Sequence, residues 1–436
     1  MKIRLSPTYK QHIAWEALKT HSVVFLGGGA GGGKSWWLCE TRLVNCYLYP
    51  GYKSFIAREE LKRLMASTYL TWCKVCQYHK IPRDDWSLNG QYNYIEFKNG
   101  SRIDLLDVKY LPSDPLYERF GSLEYSDGAI EETGEIHFLA YDVLKTRIGR
   151  HLNKELGIIP TMALTGNPKK NWTYTTFYLP SKNGTIPENI TFIQSLYNDN
   201  PYTSYEYGIQ LAGIKDKSTK ERLMFGNWDY DDDPNTLINF ETITNMFSNI
   251  YADKGRKKIV ADIARYGSDR AIITAWEGFI LFEYIVFDIS STEQIKNAIN
   301  ALRIKNNIQL SDIICDEDGV GGGVVDGLRC KGFVNNSKAF NPVYQNLKSE
   351  CGYKLAEFAD KIYIACDLPE KEIEMIHQEL GMLKTYDADK DGRLRILPKE
   401  KIKENIGRSP DWLDVFIMRM YFEVIPNTIS HQQWRG

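Results

Sequence analysis

The chain has 436 residues, 43% hydrophobic and 25% charged, which are the proportions of an ordinary folded protein and exclude wholesale disorder, a fibrous repeat or one small module. Lys and Arg number 54 against 56 Asp and Glu, so a nucleic-acid surface has to be a local patch and cannot come from overall positive charge. At about 150 residues per domain the length predicts two or three domains, each with its own core.

The opening Met1-Lys2-Ile3-Arg4-Leu5-Ser6-Pro7 lacks the continuous apolar core of a secretory signal. The longest apolar runs, such as Val23 to Leu26 and Phe279 to Phe287, fall far short of the roughly 18–20 residues that span a bilayer. No membrane segment and a reducing cytoplasmic setting are therefore expected, with the eight cysteines as thiols.

Ser22-Val23-Val24-Phe25-Leu26 reads as a strand, Gly27 to Gly33 as a glycine loop, and Trp36 to Leu48 as an amphipathic helix. Gly28, four residues, Gly33, Lys34 and Ser35 fit the P-loop pattern. There backbone amides surround phosphates, Lys reaches the β/γ oxygens and Ser binds magnesium. The pattern predicts ATP or another nucleoside triphosphate, with Gly28, Gly33, Lys34 and Ser35 as binding residues. Cys73-Lys-Val-Cys76 with His79 imitates half a zinc site, but no second pair follows at finger spacing and the surrounding pattern is helical. A hydrolytic site also needs acids to hold magnesium and orient water, and Asp127-Gly-Ala-Ile-Glu131-Glu132 offers an adjacent pair at a strand end.

Residues 200 to 228 read as helix closing on a turn, and Asp229-Tyr-Asp-Asp-Asp-Pro234 follows. An acidic run ending in Pro is more naturally solvated than buried, which places a linker at 229–250 between domains at 1–228 and 251–436.

In the C-terminal part, Lys257 to Asp262, Ala271 to Trp276 and Phe279 to Phe287 read as three consecutive strands. A crossover helix follows, with Ile295, Ile299 and Leu302 on one face and Ser290 with Glu293 as its capping box. Asp312-Ile-Ile-Cys-Asp316 is a further strand ending in an acid, and Gly319 to Gly323 turns into a helix containing Val324, Val325 and Leu328. Asp387-Ala-Asp389-Lys-Asp391-Gly392 copies the start of a calcium loop, but its twelfth position is Pro398, so a polar turn between strands is expected. Near the C-terminus Ser409 is placed to cap a helix with Pro410 at its first position, and Asp411 and Asp414 share one face of it. Strands and helices in this order, with acids on strand ends, predict an RNase H-like nuclease. Such folds gather carboxylates around two divalent cations roughly 4 Å apart.

The chain resembles the large subunit of tailed-phage DNA-packaging terminases over nearly its whole length. The matching pieces are Gln11, the P-loop, Phe55-Ile-Ala-Arg58-Glu, Tyr117 to Glu132, and Leu164-Thr165-Gly166-Asn167-Pro168. In the C-terminal half they are Asp262 with Ala264, Gly267 and Asp269, Asp316-Glu-Asp-Gly-Val-Gly321, and Gly407-Arg-Ser-Pro-Asp411-Trp-Leu-Asp414. The resemblance implies an α/β architecture, a P-loop ATPase domain of the ASCE type followed by an RNase H-like nuclease domain. It implies Gln11 on the adenine side, Glu131 with Ser35 beside magnesium, Glu132 as the catalytic acid, and Thr165 and Asn167 in coupling. It implies Asp262, Asp316, Asp411 and Asp414 as catalytic metal ligands for Mg2+ or Mn2+, with the choice between Asp411 and Asp414 open and Asp318 able to assist Asp316.

Two departures stand out: Glu131 occupies a place usually held by Asp, and the P-loop lacks the Arg many terminases carry there. Arg119, Arg147 and Arg150 are the candidates for a transition-state arginine. Basic stretches at Lys169-Lys170, Lys254 to Lys258 and Lys399 to Lys403 are candidates for DNA phosphate contacts. The implied partners are double-stranded DNA, the portal protein, the small terminase subunit and further copies in a ring on the portal, all in the cytoplasm of a bacterial host, with no membrane. The rival readings are a helicase-nuclease outside packaging, or an ATP-binding assembly protein without cutting.

Overall fold

The structure is a computed structural model that describes residues 3, 5–111, 113–230, 233, 235–263, 270–386 and 392–426. The chain forms two compact units, Met1–Asp231 and Asp232–Gly436.

The first unit is built on eight strands: β1 (Val23–Gly27), β2 (Lys53–Arg58), β3 (Trp86–Asn89), β4 (Tyr94–Phe97), β5 (Arg102–Asp107), β6 (Gly128–Ile130), β7 (Met162–Gly166) and β8 (Ile190–Gln194). They lie in the order β3-β4-β5-β2-β6-β7-β1-β8. From β5 to β8 every pairing is parallel, and the β3-β4-β5 edge is antiparallel. Both β1 and β7 are buried at every position, which is why they read as unbroken apolar runs: helices cover both faces of a parallel sheet. Alternate residues serve two cores. Val24, Leu26, Ile56 and Ala163 pack with Trp37, Leu43 and Trp72 on one face; Val23, Phe25, Phe55 and Leu164 pack with Trp172, Phe177 and Trp228 on the other. The strand that feeds the glycine loop is separated by β7 from the strand that leads to Glu131, which is the strand order of ASCE-type P-loop folds.

A buried knot ties the P-loop helix, Lys34–Leu48, to the foot of β6. The Asp127 carboxylate accepts from Arg42 Nη1 at 2.9 Å, Asn45 Nδ2 at 3.2 Å and Ser54 Oγ at 2.7 Å, and from the Tyr52 hydroxyl. An arginine and an aspartate that are both buried need this many partners, since each unpaired charge away from water is costly.

The second unit contains β9 (Lys257–Asp262), β10 (Ala271–Glu277), β11 (Ile280–Phe287), β12 (Ile313–Asp316), β13 (Lys331–Phe333) and β14 (Tyr363–Ile364), in the order β13-β12-β9-β10-β11-β14. The three predicted strands β9, β10 and β11 form an antiparallel meander. Then β12 joins parallel to β9 and β13 parallel to β12, the RNase H-like order. The crossover helix Thr292–Asn306 buries Ile295, Ile299 and Leu302 against Ile259 and Ala261. On the opposite face the helix Asp411–Arg419 packs Trp412 and Phe416 with Val260, Ile272 and Trp276. Two short strands, β15 (Thr385–Tyr386) and β16 (Arg395–Ile396), pair antiparallel and flank the calcium-loop imitation. Its Asp387, Asp389 and Asp391 lie outside the described residues.

Three expectations change. The capping box of the crossover helix sits one residue later than predicted, on Ser291 and Gln294, because the Ser290 hydroxyl is itself buried, away from any helix-end amide. The C-terminal helix begins at Asp411 with no side-chain cap from Ser409. Instead the Glu379 carboxylate, from the helix Glu370–Leu380, accepts from Leu413 N at 3.1 Å. Finally, much of the 229–250 stretch expected as a solvated linker is core. Phe240–Asn245 is a helix, and Ile238, Ile243 and Met246 are buried in the second unit. The acidic run ends before these apolar residues begin. No helix among the described residues is long and apolar enough to cross a membrane.

Candidate active sites

In the first unit, β1 delivers the chain to the glycine loop at the sheet's edge of parallel strand ends. The loop passes so close to β8 that a Cβ on Gly28 would overlap the Ser195 carbonyl, and Gly31 and Gly33 have φ of +80° and +76°, a region that L side chains avoid. The loop is held from outside by Ala30 N to Leu223 O at 2.7 Å, Ser195 Oγ to Gly32 O at 2.8 Å and Asn200 Nδ2 to Gly31 O at 2.7 Å. Gln11 Nε2 donates to Gly33 O at 2.8 Å while Gln11 Oε1 accepts from Thr8 N at 2.8 Å. Both ends of the Gln11 amide are therefore engaged.

Lys34 is buried, and burial lowers its ammonium to about 8 against the pull of Glu132 and Glu131. Its Nζ donates to Gly28 O at 3.2 Å, to Gly29 O, and to Asn167 Oδ1 at 3.1 Å. The Asn167 amide in turn donates to both oxygens of Glu132 at 3.1 and 3.2 Å. One asparagine at the tip of β7 thus bridges the P-loop lysine and the predicted catalytic acid. Glu132 holds φ 51° and ψ 52°, a left-handed backbone that costs a non-glycine residue about 1 kcal/mol.

Beside it Glu131 is buried, which raises its carboxyl above the usual range although the Ser35 hydroxyl bonds to it and Arg58 stands near. Its Oε2 is a buried atom with no hydrogen bond, 4.0 Å from Arg58 Nη1. A serine hydroxyl and a carboxylate with a free oxygen are hard donors of the kind magnesium takes. Thr165 Oγ1 is likewise buried without a partner.

The second cluster follows from register. Ala261 of β9 pairs with Cys315 of β12, so Asp262 and Asp316 emerge side by side at the ends of adjacent parallel strands. The helix carrying Asp411 and Asp414 packs on the same sheet. Burial, then the Asp414, Asp411 and Asp316 carboxylates, push Asp262 well above its ordinary value. Burial raises Asp316 to about 6 and also raises Asp411. Asp414 goes the other way. Burial alone would raise it, but Lys348 Nζ at 2.6 Å and Lys399 Nζ at 2.7 Å outweigh that and hold it low. Arg270 N donates to Asp411 Oδ2 at 3.2 Å, while Asp411 Oδ1 is buried and unpaired.

Among the described residues no three acidic, His or Cys side chains stand at metal-holding distances; two ammonium groups balance the charge in their place. Crowded, buried carboxylates, one with an orphaned oxygen, nevertheless suit a divalent cation, because such acids are tolerable together only beside compensating positive charge. Asp318 stands beside Asp316: Asn335 Nδ2 donates to Asp318 Oδ2 at 2.7 Å and lies 3.4 Å from Asp316 Oδ1. The Ala264, Gly267 and Asp269 of the first nuclease motif lie outside the described residues.

Other predicted residues have different places. His79 Nε2 lies 2.7 Å from Glu40 Oε1. Cys73 and Cys76 sit in the helix Thr68–Tyr78, with Cys76 buried. Arg119 is held by Asp114 at 2.6 Å, Arg147 bonds the Gly121 carbonyl, and Arg150 stands 3.5 Å from Glu124. Of the basic stretches, Lys399 is engaged by Asp414, Lys258 by Glu423 at 3.0 Å, and Arg256 by Asp312 at 2.8 Å. Sequence reasoning missed Lys348, and it saw Lys399 only within a basic stretch that was a candidate for DNA contacts. It also missed Arg222, whose Nε donates to Pro168 O at 2.8 Å next to Asn167. None of these has a local motif to announce it.

No protein-family model matches the chain, and no curated protein sequence matches it. Among solved structures, the large terminase of a thermophilic bacteriophage in complex with ADP aligns over 97% of this chain and 99% of its own, at 11% identity and TM-score 0.43. The same phage protein with ATP-gamma-S aligns over 94% of this chain and 98% of its own, at 11% identity and TM-score 0.42. The nuclease domain of the large terminase subunit of bacterial virus Sf6 aligns over 42% of this chain and 98% of its own, at 17% identity and TM-score 0.38.

Proposed function

We propose that this chain is the large subunit of a DNA-packaging terminase. Its first unit hydrolyses ATP to drive double-stranded DNA into a viral procapsid, and its second cuts concatemeric DNA. The observation that carries the first half is the Lys34–Asn167–Glu132 bridge at the tips of neighbouring parallel strands. It links the group that would bind phosphate to the acid that would orient water. Lys34 and the loop amides would hold the triphosphate, Ser35 and Glu131 would hold the magnesium ion, and Glu132 would position the attacking water.

For the second half the support is the crowding of Asp262, Asp316, Asp411 and Asp414 on an RNase H-like sheet. These acids are the residues that would hold Mg2+ or Mn2+, which when bound supplies an activated water and stabilises the leaving oxygen. Asp262 and Asp316, at the strand ends, would be the primary ligands. Packaging as the use of both activities rests on the order of motifs along the chain. It implies the portal, the small terminase subunit and a ring of copies as partners in the host cytoplasm. The test is cleavage of supercoiled plasmid by purified protein with Mn2+ or Mg2+, followed by ATP hydrolysis with and without portal. Cutting that needs the metal and hydrolysis that the portal stimulates support the reading. Strand separation on a forked substrate without portal dependence would replace it with a helicase-nuclease.

A further inference from the structure

Beside the glycine loop lies a pocket of about 270 Å³ lined by Gln11, Gly33, Trp36, Glu40, Tyr78, Asn200 and Tyr202, with Ser6 at its rim. Its position against Gly33 and its aromatic walls suit the base of a nucleotide whose phosphates sit in the loop, an assignment that rests on the ATP-site reading above. Three of the polar side chains around it carry hydrogen bonds. Gln11 is engaged at both ends of its amide. Asn200 donates to Gly31 O and accepts from Tyr202 N at 3.1 Å, and the Tyr202 hydroxyl donates to Ser6 O at 3.1 Å.

Glu40 has a carboxylate oxygen to spare. It is buried, two neighbours converge on one of its oxygens, and the other is left over: Trp36 Nε1 at 3.2 Å and His79 Nε2 at 2.7 Å both meet Oε1. Among the described residues Oε2 has no protein hydrogen bond.

We infer that Glu40 is the residue that selects the base, its Oε2 accepting a hydrogen bond from the exocyclic amine of adenine. An ionised carboxylate only accepts. It welcomes the adenine N6 amine and repels the C6 carbonyl of hypoxanthine, and a pocket built to pair a buried polar group discriminates against an analogue that leaves it unpaired. Gln11, which also lines the pocket, holds the loop at the same time.

The experiment is equilibrium binding of magnesium complexes of ATP, ITP and purine riboside triphosphate, which has no substituent at C6, to the full chain and to Glu40→Gln. The wild type is expected to bind ATP about ten-fold or more tightly than ITP. In Glu40→Gln the amide oxygen keeps Trp36 and His79 while the amide nitrogen faces the pocket. ATP should weaken, ITP should tighten, and the purine riboside triphosphate should hold its affinity. Equal binding of ATP and ITP by the wild type overturns the inference, as does an equal loss for all three ligands in a variant with an unchanged melting temperature. Failure of the wild type to bind any of the three removes the ATP site itself along with it.

Discussion

Asn167 has one donor group and one acceptor, and the structure uses both, toward Glu132 and Lys34 respectively. Replacing it with Ala should lower ATP turnover roughly 10- to 100-fold, the weight of one or two oriented hydrogen bonds at about 1.4 kcal/mol per decade. Asn167→Asp should be worse, since it sets a carboxylate against Glu132; steady-state phosphate release beside a circular-dichroism check reads both. Glu132 makes a sharper case. Its left-handed backbone predicts that Glu132→Gly abolishes hydrolysis and yet leaves the protein as stable or up to about 1 kcal/mol more so, because glycine adopts that conformation freely. Differential scanning calorimetry with an ATPase assay tests the pair of outcomes. The acids of the second cluster carry a pH signature. Asp316 at about 6 and Asp262 well above its ordinary value keep their protons in the fold. Without divalent cation, the contribution of Asp316 to stability therefore falls as pH rises from about 4 through 6, and that of Asp262 falls as pH rises above its ordinary value. A metal needs them deprotonated, so Mn2+ should raise the melting temperature at pH 8 and have little effect at pH 5. Asp262→Asn and Asp316→Asn should each shrink the gain at pH 8.

At the scale of the element, the helix Asp411–Arg419 is buried at all nine positions, so its N-terminal amides cannot turn to water and need a partner inside the protein. Glu379 is that partner, accepting from Leu413 N and pairing with Arg408; burial raises it to about 7 even so. Glu379→Ala should cost about 3–5 kcal/mol by stranding Arg408 and the helix end, with Glu379→Gln recovering part of it, measured by urea unfolding. This cap marks where the sequence stops being readable. Strands such as β1 and β9 were legible because burial on both faces writes itself as an apolar run. The P-loop and the acids were legible because their chemistry needs fixed residue types at fixed places. A carboxylate that caps a helix from 34 residues away, or a lysine that reaches Asp414 across 66, has no such local trace. The same reason explains Ser290: a one-residue shift in a cap depends on which serine the core buries, and that is settled by packing.

At the scale of the molecule, each unit has its own pair of cores, one on each face of its own sheet. Damage to one site should therefore leave the other working. Lys34→Ala is expected to abolish ATP hydrolysis with metal-dependent plasmid cutting preserved, and Asp262→Ala to do the reverse. Loss of both activities from either change, in protein with an unchanged melting temperature, would contradict that separation. Inside the first unit the Asp127 knot sets a mechanical limit. It clamps the middle of the P-loop helix to the foot of β6 through Arg42 and Asn45, so these two pieces act as one rigid strut. On the proposed ATPase reading, a stroke that follows phosphate release is expected above the clamp, at the strand tips that carry Glu132 and Asn167 and at the joint where Leu223 meets the loop. On the proposed reading the lever is short and its base fixed, and because Leu223 grips the same loop whose amides would hold the triphosphate, a change at that joint should alter nucleotide affinity and turnover together.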